Sequence, residues 1–279
     1  MYILLLFLWC LRTIYADMPV PQDTPTSKHI RPKGTTLQTR IAPPAGFVRV
    51  PNDAASFGEY LQNLPLKPHG TYVYHYNGRV KPNNGVYAAV VDISVGEKDL
   101  QQCADAIMRL RAEYFYRHKK YDKINFHFTN GFLAEYSKWR GGYRIQINGN
   151  KTNWVLTGYN SNERDKFMNF MELVFIYAGT LSLQKEMKPI ANISDLQIGD
   201  VWIQGGSPGH AVLVADVAKN PANGETLFLL IQSYMPAQDI QVLQNPNNSA
   251  LSPWYNLQQI KEQLKTPEWT FTKKDLYRF

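Results

Sequence analysis

Three polar side chains in this 279-residue chain have the types and surroundings that acyl-transfer chemistry needs: Cys103, His210 and Gln232. A Cys/His enzyme requires a thiol near a helix N-terminus, where dipole and imidazole lower its pKa from about 8.5, and a third polar group that orients the ring. His210 stands where the loop GGSPG becomes the apolar run AVLVADV, and Gln232 closes the next apolar run, LFLLI. If those runs pair as antiparallel strands, an imidazole and an amide meet at one edge of a sheet, as general base and orienter. Cys103 is the nucleophile in this reading, in or just beyond the first turn of a helix capped by Asp99. Its place on an apolar stripe equally fits a buried structural cysteine. Gln101 or Gln102 would supply an oxyanion donor.

The elements that must position these groups are legible as patterns. Residues 201–203, 211–217 and 227–231 are short apolar or β-branched runs separated by Gly, Pro and Asn, which predicts a buried antiparallel unit within 196–240. The helix beginning near Asp99 carries Leu100, Cys103, Ile107, Leu110 and Tyr114 at three- and four-residue steps. A second row on it holds Gln102, Asp105, Arg109 and Glu113, either a solvated i,i+4 ion-pair ladder or a polar wall that would make Gln102, Arg109 and Glu113 binding residues. A further helix is expected over 165–178, with Phe167, Phe170, Met171 and Val174 inward, and others over 54–61 and 253–264. Strands are expected over 72–76, 87–93 and 124–128, with a hairpin from 143–147 and 154–156. Trp139, Trp154 and Tyr143 are candidates for a carbohydrate platform. The fold class these patterns indicate is α+β.

Length and a 44% hydrophobic content allow a substantial core. The 30 basic and 23 acidic residues are dispersed, so the net charge of +7 and pI near 9.2 imply a general preference for anionic surfaces, without the basic block of a nucleic-acid binder. The apolar run at 2–11 followed by Ala16 is too short to span a bilayer and reads as a signal peptide over 1–16. The chain is then exported, periplasmic or extracellular, with no transmembrane anchor after cleavage. Residues 17–39, rich in Pro, Thr, Lys and Gln, read as a flexible tether. A single globular domain follows over 40–279, with an N-terminal lobe at 40–160 and a core at 161–279. Loss of Cys10 with the signal leaves Cys103 alone and excludes an intramolecular disulfide. His75 and His127 lack companion ligands at metal spacing, and GGSPG lacks the Lys and Ser/Thr of a phosphate loop, so neither metal nor cofactor is expected.

From residue 165 onward the chain resembles the core of NlpC-type and CHAP-type cell-wall peptidases of the papain-like superfamily. A helix ends in Ala178-Gly179, a Leu-x-x-Gly-Asp strand entry is matched by Leu196, Gly199 and Asp200, and a Gly-His strand by Gly209 and His210. The resemblance implies a papain-like helix-plus-sheet core, with Gln232 as third polar residue. It also puts the nucleophile near Phe167, and residues 165–171 hold no Cys, Ser or Thr. Nearly the whole chain further resembles a secreted bacterial domain family of unknown function, through LQQCADAIMRLRAEY, YAGTLSLQKE, GDVWIQGGSPGHA, QSYMPAQDI, SPWY and TPEW. Two functions follow as expectations. One is an envelope-associated cysteine peptidase or amidase acting on peptidoglycan peptides, and the other a non-catalytic module binding cell-wall glycan or peptide.

Overall fold

A computed structural model describes residues 27–158 and 164–279. The expected signal peptide and Cys10 lie outside these residues, as does the first part of the tether. Its remainder belongs to the fold: Ile30 bridges to Ile41, a one-turn helix α1 (Leu37–Arg40) follows, and Leu37 is fully buried. The low apolar content of 27–39 is compensated by one leucine in the right place and by backbone pairing. Tether behaviour therefore does not extend to residue 39.

The architecture is α+β, built on a nine-stranded antiparallel sheet. Its strands are β1 (Val48–Arg49), β2 (Tyr87–Val90), β3 (Lys188–Pro189), β4 (Val201–Gln204), β5 (His210–Lys219), β6 (Thr226–Gln232), β7 (Gln241–Leu243), β8 (Tyr255–Asn256) and β9 (Leu276–Arg278). The spatial order is β2-β7-β6-β5-β4-β9-β3, with β1 pairing β5 and β8 pairing β6 off that path. Every residue of β5 from His210 to Ala218 is buried, as is all of β6, because both faces of the sheet are covered. Ala211, Leu213, Leu229 and Ile231 face a core shared with the helices. Val212, Val214, Phe228 and Leu230 face a second core with Trp202, Tyr255 and Phe271. The uninterrupted apolar runs of the sequence are therefore what a two-sided central strand requires.

The helices are α2 (Phe57–Gln62), α3 (Cys103–Arg117), α4 (Tyr136–Arg140), α5 (Arg164–Tyr177) and α6 (Thr180–Glu186). Three small hairpins, 125–127 with 133–135, 143–148 with 151–156, and 263–265 with 270–272, lie apart from the main sheet. The expected helix over 253–264 is instead strand β8, a 3-10 turn at Leu257–Gln259 and the strand Gln263–Lys265. Trp254 is fully buried there and its indole donates to Ala42 O at 2.9 Å, so tertiary burial overrides the weak helical pattern.

α3 begins later than the sequence suggests. Gln102 is its N-cap, its N–H donating to Asp105 Oδ2 at 3.0 Å, while the Asp99 carboxylate accepts from the Ala237 N–H (2.7 Å) and Gln102 Nε2 (3.1 Å). Cys103 is thus the first helical residue. No described helix is long and apolar enough to cross a membrane.

Candidate active site

The local chain path delivers His210 to the sheet edge. Gly199 turns at φ +93 and donates its N–H to Val214 O (2.8 Å), so β4 starts in register with β5. Asp200 is buried and structural: it accepts from the Gln197 N–H (2.7 Å) and from both Arg278 Nε (2.6 Å) and Nη2 (2.9 Å). Between β4 and β5 the loop is fastened to α6. Gly205 N–H donates to Gln184 Oε1 (2.9 Å) and Gly206 N–H to Thr180 Oγ1 (3.3 Å). At Gly209 a Cβ would stand 2.4 Å from Thr180 Oγ1 and 2.6 Å from Gly206 O, so only glycine lets the chain pass under that loop into His210.

His210 is buried, and its ring lies against Tyr234, Trp269 and Phe271 at centroid distances of 4.9, 5.3 and 6.0 Å. Its Nε2 stands 2.9 Å from Gln232 Oε1. The amide orientation follows from its other end, where Gln232 Nε2 donates to Glu268 Oε2 at 2.7 Å. An ionised carboxylate only accepts, so the amide nitrogen must face Glu268 and the oxygen must face the imidazole. His210 then carries its proton on Nε2, leaving Nδ1 as the basic nitrogen. Lys81 in turn contacts both Glu268 oxygens, at 2.7 and 2.8 Å, with its ammonium 5.3 Å from the Tyr234 ring centroid. The chain Lys81–Glu268–Gln232–His210 therefore fixes both position and tautomer of the ring.

Cys103 faces the same cavity as His210, a cleft of about 1010 Å³ that Gln102, Asp105, Thr180, Tyr234 and Trp269 also line. The N–H groups of Ala104, Ala211 and Cys103 itself act on its sulfur, and Ala211 directly follows His210 in β5. Thiol and imidazole are thus brought to one helix end and one strand start. Their charge states differ from the expectation of a lowered thiol pKa. Burial, aided by the Asp105 charge, pushes the Cys103 thiol up to about 11, against the opposing N–H groups. Burial also holds His210 down to about 4 despite the Gln232 hydrogen bond, with the Lys81 charge acting in the same direction. Both groups are neutral at pH 7, a thiol and a free base on the wall of one cleft.

Asp105 shares that environment: burial pushes its carboxyl up to about 8, and Oδ1 has no hydrogen-bond partner.

The remaining residues singled out from sequence divide clearly. Gln102 lines the cleft, but its amide is held by Asp99. Gln101 is turned away, its Oε1 accepting from Arg109 Nη1 at 3.0 Å. Arg109 and Glu113 form neither a solvated ladder nor a cleft wall. They are buried and bonded to each other (2.6 Å), and Arg164 reaches both Glu113 oxygens. A buried ion-pair group of this kind requires mutual satisfaction, which it has, and it is structural. Trp139 is buried under the Arg144 guanidinium (4.3 Å), and Trp154 packs on Phe132 (5.6 Å). Neither lines the cleft.

Phe167, the position the peptidase resemblance assigns to the nucleophile, is fully buried against Tyr116 and Tyr136 at 4.5 and 5.5 Å and takes no part in the site. Lys81 and Glu268 escaped sequence reasoning. Glu268 lies within TPEW, next to Trp269. Among the described residues, no group of three or more His, Cys, Asp or Glu side chains is arranged to hold a metal ion.

A family model described as "Domain of unknown function (4846)" matches residues 37–278. No curated protein matches the chain, and no solved structure does either.

Proposed function

Because the chain belongs to the family described as Domain of unknown function (4846), which brings no activity with it, we propose a function from the chemistry of the cleft: a cysteine-dependent hydrolase of amides, of papain-like type. The observation that carries it is Cys103 at the first position of α3, in one cavity with a His210 whose tautomer is held by Gln232 and Glu268. The thiol and imidazole are both neutral, and separating either charge alone in the buried cleft is unfavourable. Transfer of the Cys103 proton to His210 Nδ1 as sulfur attacks the carbonyl creates the two charges together, and their attraction offsets part of that penalty. The Cys103 and Ala104 N–H groups at the start of α3 favour negative charge on the sulfur. Collapse of the tetrahedral adduct breaks the C–N bond, and the imidazolium returns its proton to the leaving amine. Water then attacks the thioester, giving up a proton to His210, and the released acid leaves the thiol restored.

Export and a role at the envelope, with peptidoglycan peptides as substrate, rest on the amino-terminal pattern and on the resemblance to wall peptidases. Incubation with purified peptidoglycan tests this reading. New amino groups are expected with the wild type and none with Cys103→Ala; release that persists in Cys103→Ala would end it. The raised thiol pKa favours a second reading, a non-catalytic cleft that binds wall glycan or peptide. Its signature is pull-down of the wall by wild type and Cys103→Ala alike, lost in His210→Ala, with no amine released by any of them.

A further inference from the structure

The cleft carries information about its occupant besides the dyad. Among the described residues, large apolar side chains that stay exposed are few, yet three of them line this one cavity: Met235 at 66%, Ile176 at 52% and Leu181 at 42%. They come from separate places, the end of α5, the start of α6 and the segment after β6. Phe175 and Trp269 line the same cavity. Scattered exposed apolar residues need no explanation, but a group of them on one concave surface beside reactive side chains is what an apolar ligand group requires.

The cleft also lacks basic side chains: the chain has 30 Lys and Arg residues and a net charge of +7, but among the described residues none of them lines this cavity, whose carboxyl groups are Asp99 and Asp105. A substrate carboxylate entering there would lose water and meet no cation.

We infer that the cleft selects an acyl group with an uncharged, apolar side chain next to the scissile carbonyl and excludes an acidic one. This deepens the hydrolase reading and rests on it. It separates the protein from an enzyme that cuts beside the acidic residues of wall peptides, and points to apolar peptide segments as substrates.

The test compares N-acetyl-Leu, N-acetyl-Ala and N-acetyl-Glu 4-nitrophenyl esters for turnover, and the matching non-reactive amides for protection of Cys103 against iodoacetamide. Leu is expected to exceed Ala by roughly tenfold to a hundredfold in kcat/KM, as added methylene groups do in an apolar pocket. Glu is expected to fall below Ala. Met235→Lys and Leu181→Lys, both at exposed positions, should bring the Leu to Glu ratio towards one. Equal or greater turnover of the Glu ester by wild type overturns the inference and leaves the hydrolase reading intact. Protection by the Leu amide alone, with no ester turned over, supports the inference while the hydrolase reading fails. Absence of both turnover and protection overturns the inference.

Discussion

Helices α3 and α5 are of similar length, 15 and 14 residues, and both pack in the same core, α3 on every side from Ala104 to Leu110. Both also reach the cleft, but with opposite ends: α3 presents Cys103, Ala104 and Asp105 from its first turn, and α5 presents Phe175 and Ile176 from its last. A helix N-terminus carries partial positive charge and free N–H groups, whereas a C-terminus carries carbonyls and partial negative charge. Only the first can support a thiolate or an oxyanion. The contrast explains why a nucleophile is possible on α3, and why α5 offers apolar surface instead. Phe167, in the first turn of that second helix, belongs to an aromatic cluster with Tyr116, Tyr136 and, through Tyr136, Phe170.

Substitution on the two helices should separate these roles. Cys103→Ala should lower kcat/KM for a Leu ester by roughly 10³-fold or more, since the other groups of such a site act only through the nucleophile. Phe167→Ala should leave kcat/KM per folded molecule near wild type, while urea unfolding shows a loss of about 3–5 kcal/mol from the emptied core. Activity lost with Phe167→Ala and kept with Cys103→Ala would reverse the assignment.

The same comparison can be sharpened from the base. His210→Ala should cost about 10²–10⁴ in rate, the usual contribution of a positioned base. Glu268→Gln replaces a charge-assisted hydrogen bond with a neutral one and frees the Gln232 amide to turn over, so kcat should fall roughly tenfold with KM unchanged. Nitrogen NMR of the ring separates positioning from mere stability. Wild type should show the proton on Nε2, and Glu268→Gln a mixture of tautomers; an unchanged tautomer would remove Glu268 from the relay.

The smallest effect is on stability against pH. Asp105 holds its proton up to about pH 8 in the fold but releases it near its ordinary 3.8 when unfolded. The native state therefore binds more protons across that range, and stability falls as pH rises through it. His210 acts oppositely, raising stability as pH climbs from about 4 to its unfolded value of 6.5. Between pH 6.5 and 8 only the Asp105 effect of this pair remains. Asp105→Asn, which keeps an acceptor for the Gln102 N–H, should flatten the fall of the urea midpoint in that window. An unaltered slope would mean that the carboxyl is already ionised.

What could be read from residues alone followed from locality. The strands of 196–240 are adjacent in sequence and space, so an antiparallel reading placed His210 and Gln232 on neighbouring strand ends, and the structure joins them at 2.9 Å. The 3.6-residue apolar periods of α3 and α5 were equally plain, because that spacing is set by the helix itself. A terminal segment such as 253–264 was misread because its backbone is satisfied by partners far away in sequence: Asn256 and Tyr255 pair with Leu227 and Phe228. The buried fate of Arg109 and Glu113 was hidden for a similar reason, since their third partner, Arg164, is 51 positions from Glu113.

The sequence by itself thus determined the α+β class, the two long helices and the pairing of His210 with Gln232, all of which depend on periodicity and short-range pairing. Only the tertiary structure decided that α3 rather than α5 turns its N-terminus to the His210 cleft, and that Lys81 and Glu268 lock the ring. Those choices arise from packing between segments over 100 residues apart for Cys103 and His210, and no local pattern carries such a distance.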